Sequence, residues 1–155
     1  MGDAETLFRL SGLNAAYAAA IDADRLEAWP DFFTDQCLYK VTTADNVAKG
    51  YAAGIIFGDS KAMLRDRVSS LRVANIYERQ RYRHIIGMPV FGAEPGMSET
   101  SFVIVRTMRD GRMDLFAAGS YMDRTVTGAD GVLRFAERIV VCDSGRFDTL
   151  VAIPL

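Results

Sequence analysis

His84 is the only histidine in a chain of 155 residues. A lone imidazole can be a hydrogen-bonded strand residue, a general base in a pocket or an interface contact. The two cysteines, Cys37 and Cys142, lack CxxC spacing, which excludes a zinc knuckle. No GxSxG elbow, P-loop or GxGxxG occurs. Gly50, Gly54 and Gly58 recur every four residues, but no Lys-Ser/Thr pair accompanies them, so they imply loop freedom, not phosphate binding.

The most unusual stretch runs from Asn75 through Tyr77, Arg79, Arg81, Tyr82 and Arg83 to His84. In an extended backbone, Arg79, Arg81 and Arg83 project from one face, and Tyr82 and His84 from the other. Like charges in a row repel unless acids answer them. The row is therefore a solvated face, a ladder meeting acids of a neighbouring subunit, or an anion or substrate site. Arg and Tyr are favoured at interfaces, which makes Tyr77, Arg79, Arg81, Tyr82, Arg83 and His84 candidate interface residues. Glu137 interrupts apolar odd positions at Leu133, Phe135, Ile139 and Val141. An acid on a core face is costly unless paired. Arg83, Arg106 or Arg138 could answer it, or it could be an acid/base group with a raised pKa.

The elements that must carry these residues follow from periodicity. Leu7, Leu10, Asn14, Tyr17 and Ile21 share one helical face. After a break at Asp22-Ala23-Asp24, a short helix carries Leu26 and Trp29, and Pro30 is expected to bend the chain there. Phe32 and Phe33 belong in the core. Cys37–Thr42 predicts a short strand, and Asp45–Gly58 a long loop. Asp59 or Ser60 caps a third helix with Leu64, Val68 and Leu71 on one face. Strands then follow at Tyr82–Met88, Ser101–Met108, Met113–Val126 and Val132–Asp143, with turns at Asp110-Gly111 and Gly128–Gly131. Helices first and an antiparallel meander second make an α+β layer fold, and the length suits one domain, residues 1–155.

Half of the residues are apolar, and 18 basic against 20 acidic side chains leave a net charge of −2. With no basic stripe, nucleic acid is not an expected partner. The apolar runs Ala52–Phe57 and Ile139–Cys142 fall far short of the roughly 20 residues of a membrane span. No signal peptide is visible in the acidic N-terminal stretch, and two lone thiols fit a reducing, cytoplasmic setting.

The run Tyr17…Asp22-Ala23-Asp24…Trp29-Pro30-Asp31-Phe32-Phe33-Thr34-Asp35-Gln36-Cys37-Leu38-Tyr39 resembles the opening of nuclear-transport-factor-2-like domains. That resemblance implies a cone: a curved, mostly antiparallel sheet packed on N-terminal helices. The runs Ser60…Met63-Leu64…Arg67, Asn75-Ile76-Tyr77-Glu78-Arg79, Arg81-Tyr82-Arg83-His84 and Val141-Cys142-Asp143-Ser144…Asp148-Thr149-Leu150 resemble the small (beta) subunit of aromatic ring-hydroxylating Rieske non-haem iron oxygenases. The similarity extends from about Leu13 to Leu155. It is nearest the terephthalate dioxygenase and salicylate 5-hydroxylase branch, through Ala52–Ile55 and the Asp148–Leu155 ending.

The resemblance implies a non-catalytic subunit with no cofactor of its own. The Rieske [2Fe-2S] cluster and the mononuclear iron are expected on a large (alpha) subunit. The assembly is expected to be a homotrimer or an alpha3beta3 complex, fed with electrons from NAD(P)H. The histidine count agrees independently, because such centres require four imidazoles. An alternative within the same cone fold is a free-standing isomerase, dehydratase or cyclase, or a small-molecule-binding domain. Its pocket would be lined by Tyr17, Trp29, Phe33 and Tyr39, with Asp24, Tyr39, His84 or Glu137 as acid/base groups.

Overall fold

A computed structural model describes residues 3–52, 54–74, 79–147 and 151–155. Helix α1 spans Asp3–Asp22, with Asp3 and Glu5 in its first turn, where acids favour the helix dipole. Leu10, Asn14, Tyr17 and Ile21 are buried on its inner face, as their spacing predicts. Its end is a left-handed turn at Asp24, φ 58°. There Arg25 N–H donates to the Ala20 carbonyl at 2.8 Å and Asp24 N–H to the Ile21 carbonyl at 3.0 Å.

A 3₁₀ helix, Leu26–Phe32, follows and contains Pro30. Pro30 lies inside this helix and does not end it. The chain turns extended at Phe33. Strand β1 is longer than expected, Phe33–Thr43. The predicted loop 45–58 instead contains helix α2, Ala44–Ala48, and strand β2, Ile56–Gly58. The Thr43 hydroxyl starts α2 by accepting from Asn46 N–H at 3.2 Å. Helix α3, Lys61–Ala74, buries Leu64, Val68 and Leu71, and the Ser60 hydroxyl accepts from Met63 N–H at 3.2 Å.

The remaining strands are β3 (Gln80–Ile86), β4 (Val90–Phe91), β5 (Met97–Met108), β6 (Met113–Thr127) and β7 (Leu133–Cys142). They form one sheet ordered β2-β1-β7-β6-β5-β3, with β4 on β5. β1 lies parallel to β7 and the other pairs are antiparallel. The helices pack on the concave side, α1 against β3 and β7, α3 against β1 and β2. β6 and β7 also approach closely, for a Cβ at Gly119 would lie 1.9 Å from the Val141 carbonyl oxygen, so only glycine fits.

Register shifts curve the sheet, one of them between β1 and β7 at Phe33/Leu38 and two more farther along. The two farther along lie between β5 and β6 at Ile104/Val105 and between β6 and β7 at Arg124/Thr125. The shift at Arg124/Thr125 overturns the expected face of β7. A strict period of two puts Glu137, Ile139 and Val141 inside with Phe135. The extra residue at Ala136 reverses the parity, so that Phe135, Arg138, Val140 and Cys142 are buried and Glu137 faces outward.

Candidate functional site

Strand β3 presents two different faces. Tyr82 and His84 are buried, whereas Arg81 and Arg83 are exposed, as is Arg79 just before the strand. Tyr82 stacks on Phe116 with ring centroids 5.3 Å apart. The expected alternation of Arg79, Arg81 and Arg83 against Tyr82 and His84 is therefore present. Tyr77 lies outside the described residues. Within them, Arg79, Arg81 and Arg83 have no ion pair.

His84 is held by Asp22 from the end of α1. Its Nδ1 lies 2.6 Å from Asp22 Oδ1, and its backbone N–H donates to Asp22 Oδ2 at 2.9 Å. One carboxylate thus fixes the ring and satisfies a backbone donor on the edge strand. Its Nε2 is buried and has no hydrogen-bond partner among the described residues. The reading of His84 as a hydrogen-bonded strand residue holds, and its partner Asp22 was hidden in what the sequence shows only as a helix break.

The candidate pocket residues are packed solid. Tyr17, Trp29, Phe33 and Tyr39 are fully buried. Their rings meet edge to face, for example Trp29 on Tyr39 at 5.0 Å. Leu155 enters this cluster. Its carbonyl accepts from Tyr17 Oη at 2.6 Å and Tyr39 Oη at 3.1 Å, and its N–H donates to Tyr39 Oη at 3.0 Å. Burial raises the pKa of both phenols, so neither is a ready base.

Asp24 lies outside this interior, contrary to the pocket reading. It is exposed and pairs with Arg72 Nη1 at 3.0 Å, beside Glu27, whose Oε1 accepts from Arg72 Nε at 2.7 Å. Arg72 thereby clamps α3 to the junction after α1. Hydrogen bonding to Arg72 lowers Glu27 to about 2.

Glu137 is likewise no buried acid. It accepts from Arg124 Nη2 at 2.8 Å on the outer face, and none of Arg83, Arg106 or Arg138 answers it. One register position along, the inward pair is Asp123 with Arg138, fully buried, at 2.9 and 2.7 Å. Arg138 also donates to Asn14 and lies 3.9 Å from the ring centres of Tyr121 and Phe135. Burial opposes its charge, but the Asp123 carboxylate more than offsets this and raises its pKa. The signal for this network was Asn14 on an otherwise apolar helix face.

The outer sheet face carries an apolar band beside the arginines. Cross-strand neighbours are Arg83, Val105 and Leu115, then Arg81, Thr107 and Met113, then Ile85, Val103 and Ala118. Ile85, Met113 and Leu115 are 59%, 66% and 67% exposed.

The side chains do not fit an iron centre. A Rieske cluster with a mononuclear iron takes four imidazoles, and this chain has one, bound through Nδ1 to Asp22. Burial raises the Cys37 and Cys142 thiols to about 11 and about 12. Among the described residues no group of three or more His, Cys, Asp or Glu could hold a metal ion, and no helix is long and apolar enough to cross a membrane.

Comparison with known proteins matches residues 16–148 to the family described as ring hydroxylating beta subunit. The chain is 51% identical over 150 residues to subunit beta 1 of the terminal oxygenase component of terephthalate 1,2-dioxygenase from Comamonas sp, covering 95% of this chain and 97% of that one. It is 38% identical over 156 residues to the anthranilate 1,2-dioxygenase small subunit of Burkholderia cepacia, covering 99% and 96%. Among solved structures it superposes with TM-score 0.87 on a chain from Novosphingobium aromaticivorans described as the beta subunit of an aromatic-ring-hydroxylating dioxygenase, at 38% identity and 97% coverage of both.

Proposed function

The chain belongs to the ring hydroxylating beta subunit family, and from that premise we propose that it is the non-catalytic small subunit of an aromatic ring-hydroxylating dioxygenase. Its role is to assemble and stabilise large subunits that carry the Rieske cluster and the mononuclear iron. The observation that carries this role is the outer face of β3, β5 and β6. There an exposed apolar band adjoins Arg81 and Arg83, which have no ion pair among the described residues. A solvated surface gains nothing from such a band, whereas an interface gains from apolar area and from planar arginines that meet acids. The packed interior supports the same reading, since a free-standing enzyme of this fold would need the space that Leu155 and the aromatic cluster fill.

The working assembly is three small with three large subunits, in the cytoplasm, supplied with electrons from NAD(P)H. The 51% identity to the terephthalate dioxygenase subunit supports an aromatic acid as substrate of the whole complex. The test is co-expression with a tagged large subunit of a terephthalate-type oxygenase. Equimolar co-purification is the expected result. A chain that stays monomeric and leaves the large subunit unbound contradicts the reading.

A further inference from the structure

The outer face of the sheet carries opposite charge at its two ends. At one end Arg81 and Arg83 project from β3, with Arg79 just before it and Arg109 just after β5, and all four are exposed. None has an ion pair among the described residues, and the turn acid Asp110 accepts from Arg112 N–H. At the other end Glu94, in the turn before β5, and Glu99, on β5, are exposed and also have no ion pair among the described residues. Arg124, the cation beside them, is held by Glu137. Each end has exposed apolar neighbours: Met113 and Leu115 beside the arginines, Val90, Phe91 and Met122 beside the glutamates. The two ends cannot answer each other within one chain. Arg81 lies opposite Thr107 and Arg83 opposite Val105, eight and six residues along β5 from Glu99. At about 3.4 Å per residue these separations are about 27 and about 20 Å, beyond the reach of the side chains.

We propose that these two ends are the halves of one contact between copies of this chain: the arginine end of one copy docks on the Glu94 and Glu99 end of the next. In that arrangement opposite charges meet and the exposed apolar side chains of both ends leave water together. A two-fold contact of the arginine end with itself would set like charges face to face, which costs affinity, and the glutamate end meets the same objection. The contact is therefore head to tail, and a head-to-tail contact repeats from copy to copy until it closes a ring. Three copies close it here, and the ring is the platform on which large subunits assemble. This pairing rests on the assembly role and deepens it by naming how copies of the chain meet. It is tested without the large subunit, so that the two fail separately.

The full-length chain at low micromolar concentration is followed by light scattering after size-exclusion chromatography. Arg81→Glu combined with Arg83→Glu is expected to reduce the mass from three chains to one, and so is Glu94→Arg combined with Glu99→Arg. All four substitutions in one chain exchange the charges of the two ends and are expected to restore the three-chain mass. A conservative variant covers the case in which charge reversal disturbs folding. Arg83→Lys keeps the charge, and a carbodiimide is expected to couple the amine at position 83 to Glu94 or Glu99 of another copy. Mass spectrometry of a mixture of ¹⁵N-labelled and unlabelled chains identifies that link as one between copies. A parent chain that runs as a monomer overturns the proposal. So do paired variants that keep the three-chain mass, or a quadruple variant that stays monomeric although its circular dichroism matches the parent's. The absence of any link between copies from position 83 to either glutamate overturns it as well.

Discussion

Arg138 and Arg81 sit on the same sheet and are treated in opposite ways. Arg138 is sealed in the interior, with Asp123, Asn14 and three aromatic rings around it. Arg81 stands exposed on the edge strand, beside an apolar band, with no ion pair among the described residues. An arginine inside is kept only when its charge is answered within the chain. An arginine outside can wait for an answer from another molecule. The contrast sets structural charge in the interior against exposed charge on the outer wall and edge, where the proposed assembly role puts recognition.

The comparison can be broken most severely from the inside. Asp123→Ala leaves the Arg138 charge buried and unpaired, and is expected to cost about 3–5 kcal/mol in urea unfolding. Combining Arg138→Met with Asp123→Leu is expected to recover most of that loss. A single variant that unfolds at the parental midpoint removes the claim that the pair is structural.

The outside is probed by Arg81→Ala combined with Arg83→Ala. Assembly is expected to weaken by about 2–5 kcal/mol, while the unfolding free energy of the isolated chain moves by less than about 0.5 kcal/mol. Equal assembly of parent and variant at low micromolar concentration sinks the interface reading. A smaller effect belongs to Tyr39→Phe. It strips the hydroxyl that both donates to and accepts from Leu155, and is expected to cost about 1–3 kcal/mol by denaturation, with assembly unchanged.

The smallest effect is the clamp at Arg72. The folded-state pKa of Glu27 is depressed to about 2 from an ordinary value of 4.5. Its stabilisation is therefore present above about pH 4.5 and lost as pH falls toward 2. Glu27 is exposed, so the contribution is under about 1 kcal/mol. Glu27→Gln is expected to flatten that part of the stability profile, and an unchanged acid limb would show that the clamp contributes nothing.

Much of this arrangement was legible in residue types. The lone His84 told against an iron centre on this chain, and the alternation around Arg81, Tyr82, Arg83 and His84 gave the two faces of β3. What failed was strict periodicity. One bulge at Ala136 reversed β7, turning Glu137 from a core acid into an outer ion pair and bringing Arg138 inside. A bulge leaves no reliable mark in a strand of mixed charged and apolar residues. Asp22 and Asp24 look alike in sequence as a helix break. Only the three-dimensional path shows that one holds His84 and the other joins Arg72. The region 45–58 looked like loop because its glycines outweigh short-range signals, yet Thr43 caps a helix and Ile56–Gly58 pairs with β1.

The central claim, that this chain works as an assembly subunit through its outer wall, is tested most directly by light scattering after size-exclusion chromatography. The chain alone is expected at three times its 17.1 kDa mass, and the pair with a large subunit as an equimolar complex of three copies each. A 17.1 kDa monomer that does not change elution when the large subunit is added would contradict it.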